Sequence, residues 1–221
     1  MAQLAIIAEL RLVCTCFALH TRLRRGRETC HRRLAIPALG CKSARGGPDL
    51  RPEGGTMSQL TNFEDLLKAE VQDLYSAEKQ FLKALPKVAK AASNTKLQQA
   101  LEKHMDVTEK QIDRLEKIAA ELGVKLNGKK CIGAEAIVKE GEEMIKEGGH
   151  PDVLDAGLIG AAQRMEHYEI AGYGTLAALA KRVGNKRAAE LAAKTLDEER
   201  AADEKLSQIA ERTVNEAAAQ A

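Results

Sequence analysis

The sequence predicts an all-α fold, a bundle of four long helices. Three observations predict it. From residue 61 onward, apolar residues recur at spacings of three and four over long stretches, the period of a helix buried along one face. Gly, Asn and Ser cluster between those stretches, where turns are expected. The chain has no Trp, three Phe and three Tyr, so its core must be assembled from Leu, Ile, Val, Ala and Met, the common material of helix bundles. With 44% apolar and 30% charged residues, the 221-residue chain has the composition of a helix-rich globular protein.

The first helix opens at a capping box, Thr61-x-x-Glu64. Its seam is Leu67, Val71, Leu74, Phe81, Leu85 and Val88, and Pro86 inside that pattern is expected to kink it. Ser93 and Asn94 mark a break. A second helix over residues 96–122 carries the seam Leu97, Leu101, His104, Thr108, Gln111, Leu115, Ile118 and Leu122, and Gly123 stops it. A shorter helix follows over 134–147. The third long helix, 152–183, has the seam Leu158, Ala162, Met165, Glu169, Gly172, Leu176 and Leu179. Gly184-Asn185 separates it from a fourth, 186–215, with Ala192, Thr195, Glu199, Ala202, Leu206 and Ile209, and the last six residues are expected to fray.

Connection lengths give the topology. The breaks near 93 and 184 allow only antiparallel hairpins, whereas the connection between the second and third long helices is long enough to return the chain along the bundle. Two hairpins joined by one such crossover make the ferritin-like arrangement.

The first 56 residues differ from the rest. They hold nine Arg and one Lys against four acids, a net of +6, while residues 57–221 carry a net of −4 with Lys predominating among the bases. We expect residues 1–56 to be an upstream extension or disordered tail, Met57 to be the true start, and 57–221 to be the bundle domain. Glu9 and Arg11 break the apolar run as a signal peptide or membrane span would not allow. Cys14, Cys16, His20, Cys30, His31 and Cys41 do not match common zinc-finger spacings. Beyond them only Cys131 remains, which implies no disulfide framework and a reducing, cytoplasmic setting. The mildly acidic bundle argues against nucleic-acid partners.

Charged residues interrupt the seams. Glu78 falls in phase between Leu74 and Phe81, His104 lies in the second seam, Glu169 in the third with Glu166 on its edge, and Glu199 in the fourth with Asp203 a turn later. One glutamate in a helix seam is ordinarily an edge residue whose stem lies on apolar surface and whose head reaches water. Several at one level in mid-bundle repel one another, and burying a carboxylate costs several kcal/mol unless it is paired or bound to a cation. Lys79, Lys103, Lys110, Arg164 and Arg200 lie on other phases and should face water. A di-iron or di-manganese centre resolves the conflict, since both metals suit carboxylate and imidazole ligands. Tyr75, Tyr168 and Tyr173 are expected to pack with their hydroxyls on carboxylates. The acidic row Glu135, Glu140, Glu142, Glu143 and Glu147 should be a solvated face.

The strings DLYSAEKQ, AAQRMEHYEIAGYGTLAALA and TLDEERAAD resemble the YciE/YciF family of ferritin-like bacterial stress proteins, from about residue 60 to 215. The resemblance implies a homodimer with a binuclear metal site. It carries the metal role onto Glu78, Glu166, Glu169, Glu199 and Asp203, with His104 retained on the second helix. There the family commonly reads HLEET and this chain reads HMDVT, so Val107 stands where a carboxylate is usual. Asp106-x-x-Glu109 has the spacing of paired ligands, but the seam phase points both outward. Two readings follow. One is a stress-response protein holding a di-metal centre and handling iron or peroxide. The other is a metal-free structural or interaction protein, a helical dimer acting through its surface.

Overall fold

Asn62, not Thr61, caps the first helix of this computed structural model, which describes residues 60–128 and 130–221. The Asn62 side chain accepts from the Asp65 amide at 2.9 Å, and Asp65 reaches back to the Thr61 amide (3.1 Å) and hydroxyl (2.5 Å). The box expected at Thr61 and Glu64 is therefore formed one residue later. Asn is as good a cap as Thr, and Thr61 is freed to donate twice to Asp65.

The helices are α1 (Phe63–Ala91), α2 (Thr95–Leu122), α3 (Ile132–Glu147), α4 (Pro151–Arg182) and α5 (Lys186–Ile209). A π-helical turn (Ala210–Val214) carries α5 into a short α6 (Asn215–Ala218), so the tail expected to fray is helical as far as Ala218. Among the described residues there is no strand. Pro86 lies on the exposed side of α1 and does not end it. The C-cap of α2 is Gly123 at φ 64°, the left-handed conformation that a glycine adopts without strain. Pro151 opens α4, where its missing amide hydrogen costs nothing.

Two apolar clusters fix the helix directions. One gathers Phe81 and Val88 of α1, Leu97 and Leu101 of α2, Leu158 and Met165 of α4, and Leu206 and Ile209 of α5. The other gathers Leu67 and Leu74, Leu115 and Ile118, Tyr173 and Leu176, and Ala188 and Ala192. The C-terminal half of α1 thus meets the N-terminal halves of α2 and α4 and the C-terminal half of α5. The long helices run up, down, down and up, and the chain must cross back between α2 and α4. Within that crossover α3 packs on α1 and α4. Cys131 caps α3 and shares a hydrogen bond with the Tyr168 hydroxyl at 2.8 Å, and Tyr168 donates to Asp73 at 2.6 Å.

Gly172 lets α4 lie close against α1: a β-carbon there would lie 2.5 Å from Leu74 Cδ2. The space beside this glycine is filled from within the same chain, by Leu74. Among the described residues no helix is long and apolar enough to cross a membrane. The expectations for residues 1–56, including their cysteines and the start at Met57, lie outside the described residues.

Candidate metal centre

Every polar interruption of the four seams falls between the two apolar clusters. On α1, Glu78 sits one turn after Leu74 and Phe81 follows it. On α2, His104, Thr108, Gln111 and Arg114 fill the gap between Leu101 and Leu115. On α4, Glu166 and Glu169 lie between Met165 and Tyr173, and on α5, Thr195 and Glu199 lie between Ala192 and Leu206. The helical repeat does this, because a polar residue that replaces one apolar member of a seam keeps its inward direction.

Glu78 and Glu199 are 0% exposed, and Glu166 and Glu169 are 2% exposed. One ligand atom from each of His104, Glu166, Glu169 and Glu199 lies within 4.8 Å of the other three. His104 Nε2 stands 3.4 Å from Glu166 Oε2 and 3.6 Å from Glu199 Oε2. Glu78 joins this group through its carboxyl contact with Glu169. Asp203 is half-buried at the edge: its Oδ1 accepts from Gln163 Nε2 at 2.9 Å and lies 3.3 Å from His167 Nε2. Asp106 and Glu109 are exposed, as their phase requires, in a surface groove shared with Lys79 and Lys83. The five bases expected to face water are all exposed.

Three donors serve this layer. The Tyr173 hydroxyl donates to Glu78 Oε1, and the Gln111 amide donates to Glu199 Oε1. Arg114, 8% exposed, grips Glu198 with two nitrogens at 2.5 and 2.7 Å and donates to Thr195 Oγ1 at 2.9 Å. Tyr75 and Tyr168 also bond carboxylates, Glu116 and Asp73, so all three tyrosines behave as expected. Arg114 was missed from sequence. It lies three residues beyond Gln111 on the edge of the seam, and only that phase could have marked it.

The remaining oxygens have no donor. Glu78 Oε2, Glu166 Oε2, Glu169 Oε1 and Glu199 Oε2 are buried with no hydrogen-bond partner, as is Gln111 Oε1. Glu78 meets Glu169, and Glu166 meets Glu199, carboxyl to carboxyl, so a proton held between the two members of a pair would join them. Burial first, and then the charge of Glu199, pushes the Glu78 carboxyl up to about 8. Burial likewise raises Glu166 and Glu169, reinforced by neighbouring carboxylates. Burial lowers His104, against the opposing pull of Glu199 and Glu198, so its imidazole is neutral near pH 7. A neutral imidazole beside four donor-starved carboxylates fits a divalent cation, which would supply the positive charge that these oxygens lack.

Fold and site together define an all-helical protein with a buried layer of carboxylates and one imidazole between two apolar halves. The chain belongs to the family described as a domain of unknown function, DUF892, whose model matches residues 62–219. It is 44% identical over 160 residues to Protein YciF of Escherichia coli K12, a match covering 72% of this chain and 96% of that protein. The crystal structure of that E. coli stress protein matches with a TM-score of 0.68, over 70% of this chain and 98% of that one. A Rhodopseudomonas palustris protein, YcfI, named as a candidate structural protein, matches at 40% identity with a TM-score of 0.66, over 68% of this chain and 96% of its own. The family resemblance read from the sequence is thereby borne out.

Proposed function

We propose that this chain is a ferritin-like stress protein that holds two divalent cations, iron or manganese, in the layer between its apolar halves and handles iron or peroxide. The observation that carries this reading is the set of buried carboxylate oxygens without donors, clustered around a neutral imidazole. A structural role gives no reason for such a set, because each buried polar atom without a partner destabilises the fold whether or not it is charged. The up, down, down, up order of the long helices supports the ferritin-like description, since it requires one long crossover. The stress role comes from the likeness to the E. coli stress protein YciF.

In this reading His104, Glu166, Glu169 and Glu199 would hold one cation, and Glu78 with the glutamates of α4 would help to hold a second. A redox-active metal pair would supply the electron transfer that iron oxidation or peroxide reduction needs. The chain's own groups orient and protect. Gln111 fixes one oxygen of Glu199 and Tyr173 fixes one oxygen of Glu78, which leaves the other oxygen of each free. Arg114 engages both oxygens of Glu198, at the edge of the layer. The apolar clusters flank the layer on both sides with side chains that offer water no partner. Val107 leaves α2 with one ligand, so the second position is the weaker of the two.

Elemental analysis of the full chain, purified without chelator from cells supplied with iron and manganese, should find two metals per chain. Peroxide added to the iron-loaded protein should oxidise that iron. A chain carrying both Glu78→Gln and Glu169→Gln should stay helical by circular dichroism and lose its metal. The second reading, a metal-free structural dimer, draws on the raised carboxyl groups, which remain neutral without a cation, and on the name given to the R. palustris relative. It requires a folded, metal-free protein that the double substitution stabilises. Sedimentation of the same samples should give a homodimer.

A further inference from the structure

Between α2 and α5 a cavity of about 530 Å³ leads inward from the surface. Sites for small organic molecules commonly measure about 300–1,000 Å³. Its walls are aliphatic, from Leu101 and Val107 on one side and Ala202 and Leu206 on the other. Val107 matters here, because a carboxylate in its place would put a charge on the wall. At the inner end lie His104 and Glu166, both largely buried.

The mouth has the opposite character. Lys103, Lys110 and Lys205 line it, all exposed, and none makes an ion pair among the described residues. Of the two acids that line the cavity, Glu166 lies at its inner end and Glu198 is already bound by two nitrogens of Arg114. Three unpaired cations therefore stand over an apolar hollow. An inorganic anion would satisfy the lysines and leave the walls wet. A neutral apolar molecule would fill the walls and leave the lysines without a counter-charge. A molecule with a charged head and an aliphatic chain satisfies both.

We propose that this cavity binds a single-chain organic anion of the fatty-acid type, its carboxylate at Lys103, Lys110 and Lys205 and its chain along Val107 and Ala202. The bound chain covers His104 and Glu166 and closes this route to solvent. Such binding requires no metal, so the inference stands apart from the function proposed above.

Calorimetric titration of the full chain, metal-free and metal-loaded in parallel, with octanoate, 1-octanol and inorganic phosphate tests it. Octanoate should bind saturably to both forms, and octanol and phosphate should bind at least roughly tenfold more weakly. Added salt should weaken octanoate, because the lysines are exposed. Val107→Trp fills the hollow and should weaken octanoate by roughly tenfold or more, with helix content unchanged. Lys103→Ala with Lys205→Ala should weaken octanoate but not octanol, and this pair serves should the tryptophan variant fail to fold. The proposal is overturned if octanoate does not saturate, if phosphate binds as tightly, or if the folded variants bind it undiminished. Metal content measured on the same samples separates the two ideas. Metal without octanoate binding overturns this inference alone, and octanoate binding without metal overturns only the metal reading.

Discussion

Asp155 and Glu78 are the same kind of group at nearly the same burial, and they are treated in opposite ways. Asp155 of α4, 1% exposed, reaches the turn between α1 and α2 and accepts from the Ser93 amide (2.8 Å), the Ser93 hydroxyl (2.6 Å) and the Asn94 amide (2.7 Å). Both its oxygens are satisfied, and it ties the second hairpin to the first. Glu78 has Tyr173 on one oxygen and nothing on the other. Replacing Asp155 by Ala strands three donors and should cost about 2–4 kcal/mol in urea unfolding, with Asp155→Asn costing less because one acceptor remains. Glu78 contributes no comparable stability to the metal-free chain. Full satisfaction gives Asp155 a structural role, and the missing partner at Glu78 is what the proposed metal site would supply.

Among the elements, α4 shows how spacing along one helix separates packing from bare helix formation. Gly172 faces α1, and a side chain there would run into Leu74, which is itself buried. Gly174, two residues on, has nothing within 4 Å of where a β-carbon would stand. The two positions should therefore respond in opposite directions. Gly172→Val should destabilise by about 1–3 kcal/mol through overpacking. Gly174→Ala should stabilise by up to about 1 kcal/mol, since Ala is the better helix former and meets no obstacle. Thermal unfolding of the two variants beside the parent checks both. The crossover helix α3 depends on a different device: its first turn is capped by Cys131, which accepts from the Ala134 amide at 3.4 Å.

Across the whole molecule, two apolar clusters are joined through a charged layer, so its stability depends on pH. The Glu78 carboxyl rises from 4.5 to about 8 on folding, and Glu166 and Glu169 also rise. Between 4.5 and about 8 the folded chain holds protons that the unfolded chain has released, and stability falls as pH rises. His104 acts in the other direction, because its imidazole is lowered from 6.5 and its contribution is lost as pH falls below that value. Above 6.5 only the carboxyls act. The metal-free protein should therefore lose stability steadily from pH 6.5 to 8 in urea unfolding. Bound divalent metal should cancel that loss, because the cation then takes the place of the protons.

The sequence by itself determined the helices, the seams and the level of the charged layer, since each depends on a local period that a chain cannot hide. Leu74–Glu78–Phe81 and Ala192–Thr195–Glu199 read inward in any helix, and the lengths of the breaks fixed which helices pair. Small local choices, such as Asn62 over Thr61 as the cap, were less legible because neighbouring residues could serve equally. What only the tertiary structure decided was partnership. Asp155 and the Ser93 turn lie far apart in the chain, Arg114 finds Glu198 on another helix, and Gly172 meets Leu74 across the α1–α4 contact. Whether a buried carboxylate finds a donor depends on side chains brought together from distant segments. No spacing along one helix records what stands opposite it, so only the packed helices separate the satisfied Asp155 from Glu78, Glu166, Glu169 and Glu199.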